Sequence, residues 1–456
     1  MMEMTFSLPS CHASVRADSS RGSDPRQLRY RAYAALVYTS EVTSNTESPP
    51  AWPAAAAGSL ARQSVPLGGA IGVYGLMAAI QNSTLSLFLA NAVHALPFLI
   101  GLFFTVRAGA GILAGLATGW VSDRLADRRM FFGLAGVSGM IGSLCLVVFH
   151  GYAVLIVTTT IFLSIGGGAY GPLFAYANEL ATVRGRDVTA FSSVMRSVFS
   201  GAYVVGAPLG LSVMARYGFG PLYLGLTGLA VAFAVIGRWA LRPVPRTAHP
   251  ITTKAPDEGG GVWRAMRGSL PARLWLLLGV VLVLGLVNQM YGIDISLHVT
   301  KDLRLSPALV GWMVGLTAAV EIPVMIAAGR AASRVGSGRL VGLSAVVATG
   351  SYCLMPLATG PAALLAVSAL FGVWQGIALS IPMVMVQDET PGGLGFASSL
   401  QGAAFGAAGM LAGAVTGVTA AVVGYGGVLW VCAGLSAIAV LLMLARGAHR
   451  FRPTPP

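Results

Sequence analysis

Long apolar runs alternate with short polar segments along most of this chain. Twelve runs have about the 20 residues that a helix needs to cross the roughly 30 Å apolar core of a bilayer. They predict an all-α membrane protein with twelve transmembrane helices. The predicted spans are residues 67–91, 98–119, 131–149, 153–178, 190–214, 219–240, 274–297, 308–330, 339–358, 362–386, 394–421 and 425–445.

The segment from Gly119 to Arg129, between the second and third spans, carries five charged residues in eleven positions. Residues 86–129 realign with residues 296–339 at a constant offset of 210, which pairs Ser86 with Ser296 and Pro97 with Pro307. This offset covers six spans and a linker, so corresponding helices keep the same orientation. The repeat predicts two parallel six-helix bundles. This arrangement resembles the two halves of major facilitator transporters, and the resemblance implies a substrate site between the bundles near the membrane midplane.

The composition excludes an ordinary soluble protein, because 55% of the 456 residues are hydrophobic, 10% are charged and the mean hydropathy is +0.74. The formal net charge of +13 would favour nucleic-acid binding only if it were clustered on a soluble face. Instead, 24 of the 29 basic residues fall in the termini and alternate loops on one side of the predicted membrane. Basic residues near membrane spans are retained in the cytoplasm. Both termini are therefore predicted to be cytoplasmic, and we expect no nucleic-acid partner.

The loops and termini give the predicted domain organisation. Residues 1–66 lack a long apolar run and are expected to be a disordered cytoplasmic extension, or a stretch that the expressed protein lacks. The N-terminal six-helix bundle is placed at 67–241 and the C-terminal bundle at 273–446. A cytoplasmic linker rich in Pro and Gly, at 242–272, joins them. Residues 447–456 form a cytoplasmic tail.

Four charged residues are the clear cases of charge well inside a predicted span, where an ionised side chain costs about 2.5–3.5 kcal/mol at the helix centre. They are Arg107, Arg196, Asp294 and Glu321. Glu321 lies two residues before Pro323, whose missing N–H loosens the helix beside the carboxyl group. Arg107 in the other bundle is a candidate partner for Glu321. Arg107, Asp294 and Glu321 are therefore candidates for proton coupling, and the alternative is an Arg–Glu pair that only fixes packing.

Amide and aromatic side chains recur in four of the spans. Amides offer the paired donors and acceptors that a hydroxylated ligand requires, and aromatic faces stack on its C–H surfaces. Asn288, Tyr291 and Asp294 fall within a 120° arc of one helix at about 100° per residue. The alternative for each amide is a hydrogen bond between helices. The predicted substrate-binding residues are Gln81, Asn82, Arg196, Asn288, Gln289, Tyr291, Trp374 and Gln375.

The remaining composition gives no sign of catalysis. No phosphate-binding loop follows Gly166–Gly168, and no metal-ligand or nucleophile–base spacing is present in the sequence. We therefore expect neither an enzyme nor a cofactor or metal. Glycine runs such as Gly402, Gly406, Gly409 and Gly413 predict close helix packing in the bilayer.

Residues Gly119 to Arg129 resemble the signature loop of the major facilitator superfamily, although Ala126 stands where a second glycine is usual. Further segments resemble the sugar efflux transporter family, namely 83–89, 97–106, 191–196, 291–294, 321–325 and 387–388. The resemblance implies a monomeric, multi-pass protein of the bacterial cytoplasmic membrane. It also implies a cytoplasmic gate held by Gly119, Asp123, Arg124, Arg128 and Arg129.

The expected function is export of sugars or glycosides by alternating access, in exchange for protons. Two alternatives stay open. One is a proton-driven exporter of amphipathic drugs from the same superfamily, and the other is a membrane sensor or scaffold that transports nothing.

Overall fold

The computed structural model describes residues 63–124, 127–183, 185–186, 188–243, 271–390 and 394–448. Every regular element in these ranges is helical. Two π-helical turns, Ile236–Ala240 and His298–Asp302, and the 3-10 turn Met355–Leu357 extend three of the helices. The α-helices are α1 Ser64–Asn91, α2 Pro97–Arg124, α3 Arg128–Val148, α4 Tyr152–Gly167, α5 Tyr170–Val183, α6 Val188–Tyr217, α7 Phe219–Val235, α8 Ala272–Leu297, α9 Pro307–Val335, α10 Ser337–Leu354, α11 Pro361–Glu389 and α12 Leu394–Ala448.

Eleven helical segments of the described chain are long and apolar enough to cross a membrane. α4 and α5 together form one of them, Tyr152–Val183. α12 is 55 residues long, which at 1.5 Å per residue is about 80 Å, more than twice the apolar core of a bilayer. Gly424 interrupts it with a non-helical backbone (φ 76°, ψ 177°). This break lies between the predicted eleventh and twelfth spans, and the all-α, multi-pass prediction is confirmed.

Three helices begin at a proline, α2 at Pro97, α9 at Pro307 and α11 at Pro361. The first turn of a helix suits proline, because its N–H groups have no partner within the helix. Pro97 and Pro307 are the pair that the sequence repeat aligns. The predicted extension, linker and tail lie mostly at residues 1–62, 244–270 and 449–456, outside the described ranges.

The backbone repeats at the same offset of 210 as the sequence. His94 and Arg304 both have a positive φ, 54° and 53°, which is uncommon for residues other than glycine. The N–H of Val93 donates to the carbonyl of Phe88 at 3.2 Å, and its counterpart Leu303 donates to His298 at 3.1 Å. The turns after α1 and α8 are therefore two copies of one structure.

The glycine break in α12 also has a counterpart. Gly218, between α6 and α7, has φ 82° and ψ −174°, close to the values of Gly424. Only glycine adopts this region of backbone space readily. Because Gly218 separates two helices, the same geometry at Gly424 supports two crossings within α12.

The described residues 63–243 and 271–448, here called the first and second halves, pack together at one end of the bundle. We call the end that holds Gln63 and Ala448 the terminal end, and the end that holds the turns after α1 and α8 the opposite end. At the opposite end, Ser86 and Ser296 share a hydrogen bond of 2.8 Å between their hydroxyl oxygens. Both are buried, so the halves meet there in a closed contact.

The glycine face of α12 packs against α2 near the opposite end, and this contact ends toward the terminal end. A Cβ added at Gly417 would lie 2.8 Å from the Cα of Gly101, and one added at Gly406 would lie 3.0 Å from Ile112. One turn further toward the terminal end, a Cβ at Gly402 would meet no described atom within 4 Å. The predicted packing face is confirmed at Gly406, Gly409 and Gly413, whereas at Gly402 it meets no described residue of α2.

Candidate functional site

A cavity of about 360 Å³ lies between the two halves. Its volume is at the lower end of the range of roughly 300–1,000 Å³ that is typical of small-molecule sites. Helices α1 and α6 of the first half and α8, α9 and α11 of the second half form its wall. Its polar and aromatic lining comprises Asn82, Ser83, Phe199, Ser200, Tyr203, Asn288, Gln289, Tyr291, Ser296, Thr317, Glu321 and Gln375.

Amide groups on this wall are hydrogen-bonded to side chains of other helices. In the second half, Gln375 Nε2 donates to Asn288 Oδ1 at 2.8 Å. In the first half, Asn82 Nδ2 donates to the Tyr203 hydroxyl at 3.3 Å. One bond uses only part of an amide's capacity, since each amide carries two N–H donors and an oxygen with two lone pairs. The pairs therefore fix the amide orientations and leave donors and acceptors for a ligand.

A second chamber of about 360 Å³ adjoins the first and shares Asn82, Tyr203, Gln289 and Gly292 with it. Arg107 of α2 lines this chamber. Its Nη2 donates to Gln81 Oε1 at 2.7 Å.

The expected pair of Arg107 with Glu321 does not form in this conformation. Arg107 lines the second chamber and Glu321 lines the first. Tyr203 lines both chambers. The prediction placed both residues on matching helices, but the space between the halves separates their side chains.

Glu321 lies on α9, half-buried at the wall of the first chamber. It makes no hydrogen bond or ion pair with the part of the chain that the structure describes. Pro323 is inside the same helix, so the carbonyl of Ala319 lacks its usual helical donor. A carboxyl group with access to the cavity and no fixed partner is chemically free to bind a proton or a ligand hydroxyl.

The aromatic residues of the second half form a packed cluster. Tyr291 stacks on Phe371 with ring centroids 4.3 Å apart, and Tyr352 packs edge-on against Phe371 at 4.9 Å. Tyr291 lines the first chamber. Trp374 is 1% exposed and lies against Tyr352 and Phe371, outside the lining of either chamber. Trp374 therefore packs behind the residues that line the first chamber.

Asp294 and Arg196 also lie outside the lining of these two chambers. Asp294 is fully buried and is close enough to Tyr425 and Cys432 of α12 to affect them electrostatically. Six residues turn a helix by about 600°, which leaves Asp294 roughly 120° around α8 from Asn288. Arg196 is exposed on α6, with its guanidinium 5.4 Å from the ring centre of Phe174.

The resemblance places a gate at the terminal end, and the structure describes part of it. Gly119, Asp123 and Arg124 lie in the last turns of α2, and Arg128 begins α3. The side chains of Asp123, Arg124 and Arg128 are outside the described part of the chain.

Arg129 is held by a residue that the sequence reasoning missed. Asp127 caps α3 by accepting the backbone N–H of Arg129 at 3.0 Å, and its carboxylate pairs with Arg129 Nη2 at 2.7 Å. Arg129 Nη1 also donates to the carbonyl of Leu241 at 3.2 Å. The hydrogen bond from Arg129 lowers the pKa of Asp127. This contribution to stability is present above the ordinary carboxyl pKa and is lost as the pH falls through the lowered pKa. An Asp directly before a helix was the available signal.

Comparison with known proteins gives relatives over most of the chain. A family model described as Major Facilitator Superfamily matches residues 67–293 and 277–456. Sugar efflux transporter B of Salmonella typhimurium is 33% identical over 82% of this chain and 92% of its own length. Sugar efflux transporter A of Escherichia coli is 32% identical over 81% of this chain and 92% of its own length.

Solved structures share the fold at low sequence identity. The nucleoside transporter NupG superposes with a TM-score of 0.70 over 84% of this chain and 99% of its own, at 14% identity. A bacterial homologue of the iron transporter ferroportin, in an inward-facing state, gives a TM-score of 0.65 over 85% of this chain and 99% of its own, at 13% identity.

Proposed function

Because this chain belongs to the major facilitator superfamily and, within it, to the sugar efflux transporter family, we propose that it exports sugars or glycosides. Export would proceed by alternating access, in exchange for protons. The observation that carries this proposal is the amide-lined cavity between the two halves. Paired amides beside an aromatic ring suit a ligand with several hydroxyl groups and C–H faces.

The packing of the halves supports alternating access. They are closed at the opposite end by the bond between Ser86 and Ser296, and the face of α12 parts from α2 beyond Gly406. A site that lies between two halves becomes accessible from one end or the other as the halves rock. If the terminal end is cytoplasmic, as the distribution of basic residues predicts, this conformation loads substrate from the cytoplasm.

Two features support proton exchange. Glu321 contributes a carboxyl group to the cavity wall from α9, and Arg107 contributes a guanidinium to the adjoining chamber from α2. Ionisable residues inside membrane spans mark ion or substrate pathways by default. Protonation of Glu321 would remove the negative charge from one wall, which changes how the two halves attract each other.

The substrate class can be tested with everted membrane vesicles that contain or lack this chain. A panel of radiolabelled mono- and disaccharides should show accumulation of at least one sugar when the vesicle interior is made acidic. Transport of amphipathic dyes without any sugar would favour the drug exporter. If neither sugars nor dyes are transported, the result would favour a membrane sensor or scaffold that transports nothing.

The coupling role of Glu321 can be tested with Glu321→Gln in proteoliposomes. Because the amide cannot take up and release a proton in this pH range, sugar accumulation driven by a pH gradient should fall at least tenfold. Exchange of labelled for unlabelled sugar at equal pH should stay within about threefold, because that reaction needs no net proton transfer. Asp388→Asn, at an exposed position near the end of α11, is the matched control. Gradient-driven accumulation that survives in Glu321→Gln would exclude Glu321 from coupling.

A further inference from the structure

The end of α8 and the π-helical turn after it carry three titratable residues at four-residue intervals, Asp294, His298 and Asp302. Residues four apart lie above one another on one helix face. His298 Nδ1 is 3.0 Å from Asp302 Oδ2, which also accepts the backbone N–H of Gly426 at 2.9 Å. π-Helical turns occur frequently at functional sites. We call these three residues the acid–histidine row.

Burial increases along the acid–histidine row from the opposite end inward. The side chain of Asp302 is 37% exposed and that of His298 is 4% exposed, while Asp294 is fully buried. Neither Asp294 oxygen nor His298 Nε2 has a hydrogen-bond partner among the described residues. A buried polar group without a partner typically costs about 1–3 kcal/mol, and a charged one costs more. Asp294 is therefore expected to carry its proton in this conformation.

The first half has uncharged residues at the positions that match the acid–histidine row. At the offset of 210, the counterparts of Asp294, His298 and Asp302 are Thr84, Phe88 and Ala92.

These counterparts are satisfied by ordinary packing. The Thr84 hydroxyl donates to the carbonyl of Ile80 at 2.7 Å. The Phe88 ring packs edge-on against Phe219 and Tyr223, with centroids 5.4 Å and 5.1 Å away. The helix and its turn therefore form with uncharged residues, so packing does not explain the acid–histidine row.

We propose that the acid–histidine row is a proton pathway from the opposite end of the bundle to the interior of α8. Asp294 gains the proton that it carries here when a proton moves from the Asp302 carboxyl group to Nδ1 of His298 as the proton on Nε2 leaves for the ionised Asp294. Rotation of the ring then turns the protonated nitrogen toward Asp294 and the bare nitrogen toward Asp302, which restores the starting arrangement of donor and acceptor. A side-chain rotation or a bridging water closes the gap between Nε2 and Asp294. The pathway ends one helical turn from Tyr291, which lines the cavity, and its transport role rests on the proposed proton exchange.

Few other titratable groups lie near this row in the part of the chain that the structure describes. Tyr425 and Cys432 of α12 lie within electrostatic range of Asp294. Tyr352 of α10 donates its hydroxyl to the carbonyl of Val287 on α8, at 2.8 Å. From α1 comes the hydroxyl of Ser86, bound to Ser296. Lys301 and Arg304 lie exposed on the same turn as Asp302.

Among the described ion pairs, no cation is bonded to Asp294. Its two neighbours on α12, a phenol and a thiol, are weaker acids than a carboxyl group. Along α8, His298 is the titratable residue between the exposed Asp302 and the buried Asp294.

Hydrogen–deuterium exchange of the Asp294 carboxyl group tests the pathway without any sugar. The full chain in lipid bilayers is moved into D2O, and the shift of the carboxylic acid C=O infrared band is followed with time. Asp294→Asn identifies the band by its loss. His298→Phe, which copies Phe88, should slow the exchange at least tenfold, and Asp302→Ala, which copies Ala92, should slow it as well. His150→Phe, at an exposed histidine of the same end, is the matched control and should exchange like the wild type.

Exchange at the wild-type rate in His298→Phe would overturn the pathway, and so would the absence of an Asp294 carboxylic acid band in the wild type. His298→Gln replaces His298→Phe if the latter does not fold. The transport assays give a separate result. Exchange in His298→Phe can be slow while sugar transport by the wild type does not depend on the pH gradient. That combination would contradict the proposed function and support the pathway.

Discussion

At the scale of single residues, the amide pair between α8 and α11 both packs two helices together and lines the cavity. The bond from Gln375 to Asn288 ties two helices of the second half together and presents the unused amide atoms to the cavity. A buried polar site discriminates strongly against ligands that leave its groups unpaired. Removing the amides should therefore affect a hydroxylated ligand far more than an apolar one.

The double variant Asn288→Leu with Gln375→Leu tests this difference. Both partners are removed together, so no amide is left unpaired and the helices should still pack. We expect KM for sugar to rise at least tenfold, which corresponds to about 1.4 kcal/mol. Asn91→Leu, at an exposed amide at the end of α1, should change nothing. Unchanged sugar transport, or a gain for amphipathic dyes with no loss for sugar, would favour a drug exporter.

The sequence predicted half of the polar and aromatic lining of the first chamber, and some of the predicted residues lie elsewhere. Asn82, Asn288, Gln289, Tyr291 and Gln375 line the first chamber because polar residues in an apolar helix must face a cavity or a partner. The composition of a helix does not show how the helix is rotated about its own axis, and therefore which of its residues face the cavity. For that reason Asp294 and Trp374, one turn or less from lining residues, point into the protein.

At the scale of elements, hydrophobicity predicted where helices begin and end, but it did not predict interruptions inside a single apolar run. The end of α1 and the start of α9 lie within four residues of the predicted spans because apolar length and proline position fix them. The division of the fourth span into α4 and α5 was missed. So was the π-helical turn after α8. Both depend on local hydrogen-bond geometry inside an apolar run, which hydrophobicity does not encode.

The crossing of α2 and α12 gives a prediction for an element contact. A Cβ at Gly101 would overlap the backbone of Gly413 and lie 2.6 Å from the nitrogen of Gly417. Gly101→Ala should therefore push the helices apart, at a cost of about 1–3 kcal/mol, and lower the thermal unfolding temperature in detergent. Gly111→Ala on the same helix would meet no described atom within 4 Å and should leave that temperature unchanged. Equal unfolding temperatures would show that the helices do not cross this closely.

At the scale of the whole molecule, the two halves share a backbone and differ in chemistry. The turns after α1 and α8 match to within a degree in φ at His94 and Arg304, yet the acid–histidine row occurs on α8 and not at its repeat positions on α1. Shared backbone geometry is consistent with the rocking of the halves that we propose. The different side chains place the proposed proton pathway in the second half.

The contact between Ser86 and Ser296 provides a test of rocking. The pair Ser86→Cys with Ser296→Cys should form a disulfide on oxidation, because the two hydroxyl oxygens are 2.8 Å apart. The bond would hold the opposite end closed, so sugar transport should fall at least tenfold and return on reduction. Each single cysteine variant should be unaffected by oxidation. Full transport by the cross-linked protein would rule out separation of the halves at this point.

The same serine contact also bears on the evolutionary origin of the two halves. Residues at matching positions of two repeats touch only where they lie on the twofold axis, as in an isologous dimer. A hydroxyl group both donates and accepts, so it can bond to an identical copy of itself, whereas two carboxylates or two amines would repel. Two separate, identical half-length chains could therefore have made this bond before a gene fusion joined them. The interface is compatible with an ancestral homodimer.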